Sequence, residues 1–319
     1  MSTNFGDRLV AAIREKGVPA CVGLDPLLDR LPPALLAEQG IDSAGDVDSA
    51  SPSAAAGALL AFGREVIQVI APHVPAIKIN IAFFERYYAD GVRAYLELIH
   101  HAREAGLIVI GDVKRADIGH STTQYAHAQL ASIGETQGAP IATPDAVTVN
   151  PYFGFDGIRP FVDIARREGR GLFVLVQTSN ESADQIQGLV LSDGLSLCQH
   201  VARMVQEWAS GEDLVGTEGY SCIGAVVSPR DIESTEVVRA LMPNCLFLVP
   251  GFGAQGRTTD EVARCFKPDG SGAIVTASRS VIYAYDSDRY RGGSADDWRQ
   301  CVDRACVDLV GAIRSVVPR

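Results

Sequence analysis

The chain is short of positive charge. Its Lys and Arg total 28 against 39 Asp and Glu, a formal net charge of −11. An acidic surface excludes nonspecific attraction to nucleic acid or to an anionic membrane. An anionic small ligand then needs a local basic site. Paired cysteines are also missing. The seven cysteines (Cys21, Cys198, Cys222, Cys245, Cys265, Cys301 and Cys306) are odd in number and form no C-x-x-C pair. They read as buried thiols of a cytosolic protein, not as a disulfide frame or a zinc site. No run reaches the ~18 apolar residues of a membrane span, and the first residues lack the apolar centre of a signal peptide. His100 and His101 are adjacent on a helical segment and so point apart; His73, His120, His127 and His200 have no partner at ligand spacing. A G-x-S-x-G nucleophile elbow is absent. The expectation is a cytoplasmic protein whose site works by electrostatics and proton transfer, with no metal and no cofactor.

What is present is apolar mass in a rhythm. Of 319 residues, 47% are hydrophobic and 21% charged, a globular composition. Short β-branched runs recur at Ala20–Leu24, Ala76–Asn80, Leu107–Asp112, Ala146–Val149, Leu172–Gln177, Ile223–Val227, Cys245–Val249 and Ala273–Thr276. They are continuous, not alternating, which suits parallel strands covered on both faces. Between them lie segments of helical spacing, including Leu59–Ile70, Val92–Ala105, His120–Ala131, Leu195–Trp208, Glu236–Met242 and Asp297–Val316. This pattern predicts an α/β fold, a (β/α)8 barrel forming one domain over residues 1–319. A doubly wound sheet of as many strands is the competing architecture. An extra helix, Phe5–Lys16, is expected to cap the barrel floor. Gln39–Gly57 and Ser210–Tyr220 are rich in small and polar residues and are expected to be inserted, mobile surface loops.

Barrel active sites lie at the C-terminal ends of the strands. In order, those ends carry Asp25; Lys78 and Asn80; Asp112 and Lys114, with Asp117 beyond; Thr148 and Asn150; Gln177 to Asn180; Ser228; Pro250 to Gly256; and Ser278 to Ser280. Alternate residues of an extended segment share a face, so Asp112 and Lys114 are expected to point the same way. A carboxylate beside Lys114 keeps its ammonium protonated, and a positioned ammonium is a proton donor. In isolation such a pair also fits an ordinary exposed ion pair, worth roughly 0–1 kcal/mol.

Gly251-x-Gly253-x-x-Gly256 matches the dinucleotide fingerprint. It follows the seventh strand, though, not the first, and Asp269 beyond it sits in a Pro-Asp-Gly turn. A phosphate cradle suits that place better, because barrels bind phosphate with the loops after strands seven and eight. Gln255 would add an amide donor and Arg279 a bidentate clamp. A purely structural turn is the other reading.

Together these segments resemble the orotidine 5′-phosphate decarboxylases, in the form of the longer bacterial group. The resemblance rests on Gly23-Leu24-Asp25-Pro26, Lys78-Ile79-Asn80, Asp112-Val113-Lys114-Arg115-Ala116-Asp117-Ile118-Gly119, Val147 to Tyr152, Thr178-Ser179-Asn180, Pro250 to Gly253 and Ser278-Arg279-Ser280. It implies cofactor-free decarboxylation of orotidine 5′-monophosphate (OMP) to UMP, with Lys114 protonating C6 and Asp112, Lys78 and Asp117 completing a charge network. It further implies that Asp25, Lys78 and Thr122 hold ribose hydroxyls, that Ser179 reads the base, and that Pro250, Gln255 and Arg279 serve the phosphate. Asn80, Ile118, Gly253 and Ser278 are carried over as further substrate contacts. In the family Asp117, Ile118 and Thr122 reach the neighbouring subunit's site, which implies a homodimer with shared sites. Two other readings stand beside this one: a metal-dependent sugar-phosphate decarboxylase of the same suprafamily, and a non-catalytic barrel that binds UMP.

Overall fold

The computed structural model describes residues 3–41, 48–132, 141–252, 259–291 and 297–318. Eight parallel strands close on themselves in chain order. They are β1 (Ala20–Leu24), β2 (Ala76–Asn80), β3 (Ile108–Arg115), β4 (Ala146–Val149), β5 (Gly171–Gln177), β6 (Ile223–Val227), β7 (Phe247–Val249) and β8 (Ala273–Ala277). Closure is made by β1 against β8, with Ala20 opposite Val275 and Val22 opposite Ala277. That pairing removes the doubly wound alternative, whose sheet has two open edges. Every residue of β1, β4, β6, β7 and β8 is buried. Burial on both faces is why these strands read as unbroken apolar runs.

The helix Phe5–Lys16 forms where the sequence places it, capped by the Asn4 side chain and ended by Gly17 in the left-handed region. It covers the barrel floor. The Phe5 ring meets Phe173 edge-on at 5.9 Å, and it lies so close to Gly171 that a Cβ there would come within 2.2 Å of it.

Both expected insertions need correction. Residues 42–47 lie outside the described residues, but Pro52–Gly57 is not a loop. Ser51 caps a helix, Pro52–Ile70, whose first turn holds Pro52. Proline suits that place because the first helical N–H has no partner anyway. By length and composition this helix passes the test for a membrane span, with a mean hydropathy of 1.3 over an 18-residue window, although Arg64 and Glu65 interrupt its apolar run. Here Ala55, Leu59, Phe62, Val66, Ile67 and Ile70 bury its inner face in the core. The segment from Ser210 to Tyr220 is irregular, as expected, but anchored. The Asp7 carboxylate accepts from the backbone N–H groups of Thr217 (2.9 Å) and Glu218 (2.8 Å), and Leu214 and Tyr220 are buried.

Candidate active site

The third strand departs most from expectation, and the departure builds the site. β3 does not stop at Asp112 but runs on to Arg115, with its register to β4 broken between Gly111 and Arg115. Within the break Lys114 takes a φ of 44°, a left-handed conformation in a non-glycine residue, which costs of order 1–3 kcal/mol. The ladder bonds given up there are replaced from the next strand. Thr148 Oγ1 accepts from the N–H groups of both Val113 and Lys114, at 3.0 Å each, and donates to Asp112 Oδ1 at 2.9 Å. The side chains of Asp112 and Lys114 therefore do meet, but through a pinned bulge and not through regular alternation.

The result is an alternating row of charge across β1, β2 and β3. Lys114 Nζ donates to Asp112 Oδ1 at 2.5 Å, and Lys78 Nζ donates to Asp112 Oδ2 at 2.8 Å. Lys78 Nζ also stands 3.6 Å from Asp25 Oδ1. Lys78 and Asp112 are buried, whereas the Lys114 side chain is 50% exposed. Burial alone would raise the Asp112 carboxyl. The charges of Lys78 and Lys114 outweigh it and hold the group well below the usual carboxylate range. Burial would likewise lower Lys78, but Asp25 and Asp112 reverse that and raise it. Both groups are ionised at neutral pH. Asp25 Oδ1 is buried without a hydrogen-bond partner among the described residues, an acceptor suited to a ligand hydroxyl.

Two adjoining cavities open over this row. One, of about 140 Å³, is lined by Lys78, Asp112, Lys114, Thr148, Ser179 and Pro250, with Leu175, Val226 and Leu248 as an apolar wall. The other, of about 490 Å³, runs from Asp25, Lys78 and Asn80 to Gly251, Phe252, Ser278 and Arg279. They share Lys78, Asp112, Pro250 and Thr276. Polar groups thus converge at one end, a guanidinium and a glycine-bearing loop stand at the other, and a polar middle joins them. The two cavities together suit an elongated polar ligand with an anionic group near Arg279.

Asp25, Lys78, Asn80, Asp112, Lys114, Ser179, Pro250, Ser278 and Arg279 are brought together. Gly253 and Gln255 lie outside the described residues. Three expected residues do not join the site of their own chain. Asp117 is half-buried, lines neither cavity, and accepts from the N–H of Ile118 at 2.8 Å. Ile118 is 55% exposed. Thr122 needs correction as a ribose contact. It is 1% exposed, and its hydroxyl donates to the Gly157 carbonyl at 2.8 Å. Its place on the helix Gly119–Leu130 turns it inward, and Ser121 is the exposed hydroxyl beside it. Sequence reasoning placed Thr148 at a strand end without giving it a role, and it missed Thr276 and the apolar wall. The signal for the two threonines was a polar side chain inside an otherwise apolar run. The wall gave no signal, since Leu175, Val226 and Leu248 look like core.

Comparison with known proteins agrees in kind. Residues 44–289 match the description of the orotidine 5′-phosphate decarboxylase / HUMPS family. The chain is 38% identical over 306 residues to the orotidine 5′-phosphate decarboxylase of Rhodopirellula baltica, covering 96% of this chain and 97% of that protein. It is 37% identical to the enzyme of the same name from Caldicellulosiruptor saccharolyticus, covering 88% and 90%. Among solved structures, a candidate orotidine 5′-phosphate decarboxylase of Streptomyces avermitilis superposes with a TM-score of 0.74 at 31% identity, covering 99% and 96%. Leishmania donovani OMP decarboxylase superposes at 0.70 with 25% identity, covering 98% of each chain.

Proposed function

The chain belongs to the orotidine 5′-phosphate decarboxylase / HUMPS family, and on that premise we propose that it converts OMP to UMP in pyrimidine nucleotide synthesis, without a cofactor. The observation that carries the reading is the Asp112 carboxylate held between two ammonium groups, 2.5 Å from Lys114 and 2.8 Å from Lys78, on the floor of the cavity.

The reaction follows from that arrangement. The pyrimidine lies over Lys114 with its C6 carboxylate toward Asp112. The C6–carboxylate bond breaks, CO2 leaves, and the electron pair stays on C6 as a vinyl carbanion that has no electron sink of its own. Lys114 stabilises that charge and then gives C6 its proton, becoming a neutral amine that regains a proton from water. Lys78 holds Asp112 ionised, so the charges need little reorganisation as the bond breaks. Asp25 and Lys78 take ribose hydroxyls. Ser179 reads the base against Pro250. Ser278 and Arg279 receive the phosphate at the far end, with Gly253 and Gln255 in the same loop region. Asn80 is a further contact of the sugar end.

Asp117 and Ile118 serve the site of a second copy. This supports a homodimer with shared sites, and Tyr152 and Phe153, exposed by 81% and 46%, supply apolar surface for it. The chain works as one barrel domain in the cytoplasm, with OMP and UMP as its ligands and neither nucleic acid nor membrane as a partner. The direct test is to incubate the pure protein with OMP in EDTA and follow the loss of pyrimidine absorbance. Conversion at an undiminished rate is expected. No conversion of OMP with or without Mg²⁺ would overturn the reading, and inactivation by EDTA with recovery on adding Mg²⁺ would overturn its cofactor-free part.

A further inference from the structure

Beyond β5 the backbone leaves the sheet irregularly, its register to β6 shifting between Leu175 and Gln177. Thr178 and Ser179 follow and line the cavity beside Lys114. A side chain from further along the chain secures them. Gln187 ends a short helix, Asp184–Gln187. Its Oε1 accepts from the Thr178 N–H at 3.0 Å, and its Nε2 donates to Thr178 Oγ1 at 2.7 Å. Thr178 Oγ1 in turn donates to Asn180 Oδ1 at 2.6 Å. One amide thus grips both the backbone and the side chain of Thr178, and the bonds on either side of Ser179 fix which way that residue faces. The clamp is itself anchored. Arg230, from the segment after β6, forms an ion pair with Asp184 and reaches Gln187 Oε1 at 3.5 Å.

We infer that Gln187 is a positioning residue that holds the Thr178–Ser179 segment in register with the substrate's pyrimidine. It touches no reacting atom and acts through Thr178. The inference rests on the decarboxylase reading, in which Ser179 faces the base. Bidentate side-chain bonds of this kind restrict a loop that otherwise samples several conformations. A misplacement of about 1 Å remote from the chemistry can lower a rate on the order of 100-fold.

The test joins exchange to kinetics. In Gln187→Leu, backbone amide exchange at Thr178 and Ser179 should accelerate while the barrel strands stay protected. The kcat/KM for OMP should fall about 10- to 100-fold. Added to Ser179→Ala, Gln187→Leu should cost little more than Ser179→Ala alone. Added to Arg279→Ala, at the far end of the site, it should cost its full factor. Gln187→Glu, which keeps the acceptor for the Thr178 N–H but loses the donor to Thr178 Oγ1, should recover only part of the activity. Thr178→Val, which removes only the hydroxyl, should show an intermediate loss if Gln187→Leu folds poorly. The inference is overturned if exchange at Thr178 is unchanged, or if Gln187→Leu adds as fully to Ser179→Ala as to Arg279→Ala. A wild-type protein inactive on OMP would overturn the decarboxylase reading, and this inference with it.

Discussion

Thr148 and Asp112 are joined by a hydrogen bond of 2.9 Å, and the same threonine oxygen accepts from two backbone N–H groups of the strand that carries Asp112. A β4 side chain therefore supports both the Asp112 carboxylate and the strained backbone at Lys114. Thr148→Val keeps the shape but leaves the Val113 and Lys114 N–H groups without their acceptor, and an unsatisfied buried group costs about 1–3 kcal/mol. Thr148→Val should lower both thermal stability and kcat, whereas Thr148→Ser should restore both. A Thr148→Val protein with wild-type melting and turnover would show that the bulge is held by something else.

Acid and alkali should act on the charge row at opposite extremes. The Asp112 carboxyl is depressed in the folded state, so its stabilisation is complete above the ordinary carboxylate pKa, about 3.9, and fades as pH falls toward the folded value. Lys78 is raised, so its stabilisation is complete below the ordinary lysine pKa, about 10.4, and fades as pH climbs toward the folded value. Asp112→Asn leaves buried Lys78 without its closest partner, a loss of about 3–5 kcal/mol. Measured by denaturant unfolding, the gap between wild type and Asp112→Asn should be flat from about pH 5 to 9 and narrow only outside that range. A gap that changes through pH 6–7 would mean that another group governs the row.

Arg279 is exposed on the rim of the larger cavity, with Ser278 and Gly251. Its reading as the phosphate clamp predicts that Arg279→Ala lowers kcat/KM for OMP about 100-fold or more, as expected when a charge-assisted bidentate contact is lost. Turnover of orotidine, which lacks the phosphate, should change little. Steady-state kinetics on the two substrates separate the cases, and equal losses would assign Arg279 another role.

Asp117 lines neither cavity of its own chain, which makes the shared-site proposal testable by complementation. Lys114→Ala and Asp117→Ala proteins, each inactive, are mixed and allowed to exchange subunits. A mixed dimer has one site with both lesions and one with neither. Random exchange yields about half mixed dimers, so about a quarter of wild-type activity should return. No recovery, with exchange confirmed by mass-tagged subunits, would place Asp117 in the site of its own chain.

The barrel was legible because its strands are buried on both faces, which writes them as unbroken apolar runs. Three members of the charge row, Lys78, Asp112 and Lys114, were legible because they stand at or near strand ends, where apolar runs give way to charge, but Asp25 takes the place in the row that was expected for Asp117. What stayed hidden depends on partners distant in sequence. β3 reaches Arg115 only because Thr148 replaces its ladder bonds, which residues 107–117 do not encode. Thr122 and Ser121 are neighbours of similar chemistry, and only the packing of Thr122 against Gly157 decides which faces outward. Pro52–Gly57 looked like a loop by composition, although Ser51 followed by Pro52 is a helix-start signal. The apolar wall of the cavity carries no mark that distinguishes it from core.

The central claim is that the Lys114 ammonium carries the reaction, and Lys114→Ala tests it most directly. Proton donation by a positioned acid is worth ~10²–10⁴-fold, and stabilisation of the carbanion by the same charge adds to it. The account predicts that Lys114→Ala lowers kcat on OMP by at least that factor while still binding UMP by calorimetry, because the ribose and phosphate contacts are untouched. A Lys114→Ala enzyme that keeps a tenth of wild-type kcat would contradict it.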